Sequence, residues 1–162
     1  MLVSNTSTLV LLAKIGCLEH FIKLSPLIEI PIQVKKEALF EKGSYYARLI
    51  DKLIKEKRIS VAPVNKNKIK KILGQFNLDE GEAATYALFN RKKHKAILTD
   101  DGELIKLCKL ENIEFICAMA VVIILYEKKM LSKQQIFNKL EELHKIGRYS
   151  EKLYEHFKNE VN

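Results

Sequence analysis

The sequence predicts an α/β protein, a three-layer α/β/α arrangement around a short central parallel sheet, and three observations carry that prediction. Short apolar runs at Leu2–Ser4, Leu27–Ile30, Ile59–Ala62, Ala96–Leu98 and Glu114–Cys117 alternate with longer stretches of helical periodicity, the rhythm of a parallel sheet covered on both faces. The chain has 162 residues, 48% of them hydrophobic, and no linker-like tract, so a single domain over 1–162 with a sizeable core is expected. The run Ala96–Asp101, AILTDD, stops on two adjacent carboxylates. In an open parallel sheet, ligands bind in the crevice beyond the carboxyl ends of the strands, so acids there face a ligand rather than the core.

Taken in order, Leu2–Ser4 meets Asn5, Thr6 and Ser7, all helix-capping types, before Leu9, Leu12 and Ala13 recur at helical spacing. Gly16 ends that helix, and Leu18, Phe21 and Ile22 set up a short second one before the strand at Leu27–Ile30. Pro31 suits the first turn of the next helix, whose apolar Val34, Ala38 and Leu39 place Glu37 beside a buried stripe. Gly43 breaks the run, and Tyr46, Leu49, Ile50, Leu53 and Ile54 mark a strongly amphipathic helix that precedes the strand Ile59–Ala62.

The lysine-rich segment Lys66–Lys71 has Ile69, Ile72 and Leu73 on its apolar side and reads as either a solvated helix face or a phosphate-contacting surface. From Leu78, LDEGEAATYALFN is a helix with Leu78, Glu82, Tyr86 and Phe89 on one face. Leu104, Leu107 and Cys108 continue a helix after AILTDD, and Met119–Leu125 is apolar almost all round, as in a helix buried on several sides or in a subunit interface. Two amphipathic helices, around Ile136, Leu140 and Leu143 and around Leu153 and Phe157, close the chain.

Lys plus Arg is 28 against 20 for Asp plus Glu, a formal charge of +8, which suits a polyanionic partner or a Lys-rich solvated surface. Cys17, Cys108 and Cys117 lack CxxC spacing, and His20, His94, His144 and His156 never fall at zinc-ligand intervals, so a reduced, cytoplasmic protein without structural zinc is expected. The most apolar run, Cys117–Tyr126, is half the roughly 20 residues a membrane span needs, and no membrane association is expected. No GxGxxG or GxxxxGK[ST] follows a strand, which excludes a dinucleotide or P-loop role.

Several acids have ordinary readings. Asp79 and Glu82 have capping-box spacing, and so do Asp100 and Glu103; the latter pair makes Asp100 a cap and leaves Asp101 without a structural task. Glu37 alone is a helix-surface glutamate and Asn5 alone a helix cap. Asn5 nonetheless stands at the carboxyl end of the first strand, level with Asp101.

Together VSNTSTLVLLAKIG, PIQVKKEAL, LDEGEAATYALF and AILTDDGEL resemble, in order and spacing, the signature blocks of PIN-domain nucleases, and CAMAVVIILYEKKMLS with GRYSEKLYEHF is similar to the tail of a short prokaryotic, VapC-like subgroup. By motif, that resemblance implies Mg²⁺ or Mn²⁺ held by Asn5, Glu37, Glu82 and Asp101, which would be the catalytic set. Thr6, Ser7 and Thr99 would hold carboxylates and waters around them, with Asp100 as a further outer carboxylate. The family pattern has Asp where this chain has Asn5, which keeps one carbonyl ligand and loses a charge. Either a natural variant of reduced or lost activity or a deliberate Asp-to-Asn change accounts for it.

The implied activity is a metal-dependent endoribonuclease that hydrolyses RNA phosphodiesters with a metal-activated water. The implied setting is the toxin of a toxin–antitoxin pair, restrained by a cognate antitoxin and paired as a homodimer. Lysines must frame such an acidic pocket, and Lys14, Lys35, Lys36 and Lys106 are the candidates near the strand ends. A non-catalytic PIN module that binds RNA or a protein is the alternative. A phosphoaspartate receiver is a third reading, but the acidic pair it needs on the first strand is not visible.

Overall fold

The structure, a computed structural model, describes residues 1–24 and 27–162. It is a three-layer α/β/α fold around a five-stranded, wholly parallel sheet in the order β3-β2-β1-β4-β5. The strands are β1 (Leu2–Ser4), β2 (Ile28–Pro31), β3 (Ile59–Ala62), β4 (Ala96–Leu98) and β5 (Phe115–Ile116). The first half of the chain carries helices α1 (Thr6–Lys14), α2 (Leu18–Leu24), α3 (Ile32–Ala38), α4 (Tyr45–Lys55) and α5 (Lys66–Gln75). Helices α6 (Glu80–Leu88), α7 (Gly102–Leu110), α8 (Ala118–Glu127), α9 (Lys133–Ile146) and α10 (Glu151–Val161) follow.

Alternation along β4 shows how so short a sheet holds two layers. Ala96 and Leu98 join the large cluster that includes Leu9 and Leu12 of α1, Ile50 of α4 and Met119 and Val122 of α8. Ile97, between them, packs on the other face with Leu104, Cys108 and Ile113. Strand residues buried on both faces are mostly apolar, and β1, β2 and β4 are buried throughout, with Ser4 ending β1. The exception in β2 is Glu29, buried but paired with Lys93 at 2.9 Å and hydrogen-bonded to His94 Nε2 at 2.9 Å.

Several boundaries differ from the expectation, each for a local reason. Pro31 ends β2, paired with Ala62, and stands as the extended residue before α3 rather than inside it, while Leu27 lies outside the strand. Asp79 takes the cap position, so α6 starts at Glu80 and not at Leu78. Cys117 is likewise spent as the cap of α8, which shortens β5 to two residues.

The all-apolar helix α8 resolves to one of its two expected readings. Its Met119, Val121, Val122 and Leu125 are fully buried within the chain, packed against α9, α10, α1 and α2. They are committed to this chain's own core and not offered to a second copy. No helix among the described residues is long and apolar enough to cross a membrane.

The sheet order also locates the site. From β1 the chain moves outward through β2 and β3, then returns to the other side of β1 for β4 and β5. Connections therefore leave β1 and β4 in opposite directions, opening a crevice beyond their carboxyl ends.

Candidate active site

Asn5 and Thr99 are the residues that follow β1 and β4, and the register Ser4↔Leu98 sets them side by side. The Asn5 backbone N–H donates to the Leu98 carbonyl at 3.1 Å, and its side-chain Nδ2 donates to Thr99 Oγ1 at 3.0 Å. Its Oδ1 accepts from Ser7 Oγ at 3.0 Å and caps α1 through the Thr8 N–H at 3.4 Å. Both ends of the buried Asn5 amide are thus engaged within the chain. Thr99 Oγ1 also accepts the Asp101 N–H at 3.1 Å, which aims the turn after β4.

Around these residues lies a cleft of about 450 Å³ lined by Asn5, Thr6, Ser7, Glu37, Asp79, Glu82, Asp100 and Asp101, with Arg148 also on its wall. Of the residues the sequence singles out, Asn5, Glu37, Glu82 and Asp101 line it together, and Thr6, Ser7 and Asp100 stand among them. Thr99 is fully buried beneath.

The four proposed lysines do not line the cleft. Lys14 is at the far end of α1, over the Tyr46 ring at 5.0 Å, and Lys106 is paired with Glu103 at 2.6 Å. Lys35 and Lys36 flank Glu37 on α3, but only Glu37 reaches in.

The two adjacent aspartates exchange the tasks the spacing assigned to them. Asp101 caps α7, its Oδ1 accepting from the Leu104 N–H at 2.7 Å. Asp100 turns inward and is half-buried, accepting from Thr8 Oγ1 at 2.6 Å, from the Ala118 N–H at the start of α8 at 3.1 Å, and from the Tyr149 hydroxyl. Burial pushes its carboxyl above the usual range, against the pull of those donors. The buried hydroxyls and the N-terminus of α8 are what make the inward position tenable, so the cap passes to its neighbour.

Glu37 reaches the cleft because the second residue of α6 is a glycine, Gly81. The Thr6 hydroxyl donates to it, and a Cβ on Gly81 would stand within 2.8 Å of its carboxyl group. Burial, with Asp79 and Glu80 nearby, raises its pKa. Gly81→Ala is expected to leave folding stability unchanged or raise it by about 0.5 kcal/mol, because alanine suits a helix better than glycine. It should nevertheless displace Glu37, and denaturant melts compared with cation-binding titrations of the variant separate the two effects.

Glu82 closes a full capping box with Asp79, accepting the Asp79 N–H at 2.8 Å while Asp79 accepts the Glu82 N–H at 2.8 Å. The Asp101 carboxyl lies beside it in the cleft. Burial first, then Asp79 and Asp101, lift the Glu82 pKa from 4.5 to about 7. Between those values the native state keeps a proton the unfolded chain has released, so stability must fall as pH rises from 4.5 to about 7. The shift sets a ceiling of about 3 kcal/mol, and solvent screening of this half-buried group reduces the loss to about 1 kcal/mol. Glu82→Gln keeps the capping acceptor and should flatten that pH dependence, melting about 2–4 °C higher than the parent at pH 8 without divalent cations.

None of the cleft acids, Glu37, Asp79, Glu82, Asp100 or Asp101, has a Lys, Arg or His within ion-pairing distance among the described residues, whereas Glu29 and eight other acids elsewhere do. In a chain of net charge +8 that is a concentrated, uncompensated negative site.

Hard oxygen donors of this kind suit Mg²⁺ or Mn²⁺. Among the described residues no group of three or more His, Cys, Asp or Glu side chains is arranged to hold a metal ion. The reason is local: Glu37 leans on Thr6 and Gly81, one oxygen each of Glu82 and Asp101 caps a helix, and position 5 carries no charge. Glu82 and Asp101 still place two carboxyls together, and Mg²⁺ sites commonly use one or two carboxylates completed by water and substrate phosphate. The donor set therefore fits a hard divalent cation at that pair.

Sequence reasoning missed three cleft features: Asp79 as a wall residue, Arg148, and the tie from Tyr149 to Asp100. Asp79 was visible only as a cap, and the segment carrying Arg148 and Tyr149 has no periodicity to read. No curated protein matches the chain. The family described as a PIN domain matches it over residues 1–162. With the sheet order, the switch-point cleft and that end-to-end match together, the chain belongs to the PIN-domain family.

Proposed function

We propose that this chain is a divalent-cation-dependent endoribonuclease, attenuated by Asn5, and that it serves as the toxin of a toxin–antitoxin pair with an antitoxin protein as its restraint. The observation that carries the reading is the set of cleft carboxylates without a cationic partner, gathered at the switch point of a basic protein. Acids left unpaired in a cleft that rises in stability when protonated are acids kept for a cation.

A Mg²⁺ or Mn²⁺ ion bound there supplies a more acidic water and offsets charge on the phosphate. Glu82 and Asp101 are the residues to hold it, with Glu37 packed on Gly81 in the same cleft. Asp79 keeps Glu82 oriented through the capping box, and Thr99 orients the Asp101 turn from below. Thr6 holds the Glu37 carboxylate by its hydroxyl. Positioning by these residues, more than covalent chemistry of their own, is their contribution.

The second reading, a PIN module that binds RNA or protein without cleaving it, draws on one observation. Asn5 has both ends of its amide satisfied inside the chain, which suits a structural role.

The test is incubation of the chain with labelled single-stranded RNA and Mn²⁺ or Mg²⁺, with an EDTA arm and an Asp101→Asn arm. Asparagine caps helices as well as aspartate does, so that variant keeps the start of α7 and isolates the lost charge. Cleavage that both arms abolish supports the nuclease; binding without cleavage by any form favours the module.

A further inference from the structure

The cleft has a second, differently built wall. Val10 and Leu11 of α1 and Ile146 at the end of α9 line it, and Arg148 follows on the connector to α10. Ile146 remains 48% exposed there, an apolar side chain left open beside a polar site. Arg148 is the one cation among the described lining residues.

Two contacts fix where Arg148 starts from. On one side, Gly147 lies so close under the Tyr149 ring that a Cβ would collide with it and stand 2.8 Å from the Leu143 carbonyl. On the other, the Tyr149 hydroxyl donates to Asp100, one residue from Asp101. Burial and the Asp100 carboxylate keep that hydroxyl protonated, its pKa far above the ordinary value for tyrosine. Arg148 itself is exposed and makes no hydrogen bond or ion pair among the described residues. A pinned backbone with a free guanidinium, set among acids it does not neutralise, is a cation reserved for something absent from the chain.

We infer that Arg148 is a phosphate-gripping residue of this cleft, its planar fork taking the non-bridging oxygens of an RNA phosphate while Val10, Leu11 and Ile146 receive the adjoining sugar or base. The inference rests on the nuclease reading for the identity of the polyanion. A guanidinium matches two phosphate oxygens at once, which a lysine ammonium does not. Bare carboxylates would repel a phosphate, so the cleft needs a cation of this kind on the strand's side of the pocket.

The experiment measures single-stranded RNA binding by fluorescence anisotropy over a series of salt concentrations, without divalent cations, on the full chain carrying Asp101→Asn. Arg148→Ala, Arg148→Lys and the control Lys95→Ala are compared in that background. Lys95 precedes β4 and so lies at the opposite end of the sheet. Arg148→Ala is expected to weaken binding about tenfold near physiological salt and to lower the log–log salt slope by about 0.7, one phosphate contact on a single strand. Arg148→Lys should recover the slope and only part of the affinity, and Lys95→Ala should match the parent.

Equal affinity and slope for Arg148→Ala and a parent that does bind RNA overturn the inference while leaving the nuclease reading intact. Loss of slope with no cleavage by any cation-loaded form supports the Arg148 contact and overturns the hydrolysis. A parent that binds no RNA overturns both.

Discussion

Asn5→Asp is expected to raise cation-dependent RNA cleavage about 10–100-fold, the size of effect that groups arranged around a metal commonly have. Position 5 stands at the carboxyl end of β1, beside Thr99 and within the cleft that holds Glu82 and Asp101. A carboxylate there adds a third charge to the two that already meet, and the local hydrogen bonding permits it. Thr99 Oγ1 accepts from Asn5 Nδ2 and from the Asp101 N–H. With aspartate at position 5 the hydroxyl turns to donate to it and still accepts from Asp101. Ser7 and the Thr8 N–H keep an acceptor.

The same change carries a cost that separates it from a neutral substitution. Residue 5 is only 3% exposed, and a further anion among unneutralised acids should destabilise the cation-free protein by about 1–3 kcal/mol at neutral pH. Mn²⁺ should restore that loss. Thermal melts with and without Mn²⁺ therefore accompany the cleavage assay, and a variant both slower and insensitive to Mn²⁺ would contradict the assignment of position 5.

Asp100→Ala is expected to be the most damaging single change to the fold, by about 3–5 kcal/mol, because it strands several buried donors at once. Its carboxylate is shared by Thr8 of α1, the first N–H of α8 and Tyr149 beyond α9, and so ties three segments together. For a chain of this length the melting temperature should fall about 10–15 °C. Asp100→Asn should cost far less, about 1 kcal/mol, since the Thr8 hydroxyl can reverse from donor to acceptor and burial already disfavours the charge. Equal, small losses for the two variants would show that Asp100 is not the tie it is described as.

How much of this was legible in the sequence follows from the range of each interaction. The alternation of apolar runs with amphipathic stretches is local, and it yields the three-layer parallel fold and nearly every helix. Caps are local as well, yet adjacent Asp100 and Asp101 both have cap chemistry. What decides between them is the Thr8 hydroxyl 92 residues earlier, the Ala118 N–H and the Tyr149 hydroxyl 49 residues later. No spacing rule sees those.

Glu37 looked like any exposed glutamate because its partner in the cleft is the missing side chain of Gly81, an absence on another helix. Arg148 sits in an irregular connector, where a positive charge has no pattern to stand out from in a chain with 28 basic residues. Sequence proximity alone places the four lysines near the strand ends. Proximity along a helix does not choose its face: Lys14 lies over Tyr46, Lys106 pairs with Glu103, and neither Lys35 nor Lys36 is among the residues lining the cleft.

The most direct test of the central claim, that this cleft is built to hold a divalent cation, is calorimetric titration of Mn²⁺ into the native chain, Asn5→Asp and Asp101→Asn at pH 8, above the Glu82 pKa of about 7. Binding to the native chain is expected, with tighter binding to Asn5→Asp and none to Asp101→Asn. The same heat in all three, or no heat with Asn5→Asp, would contradict the claim.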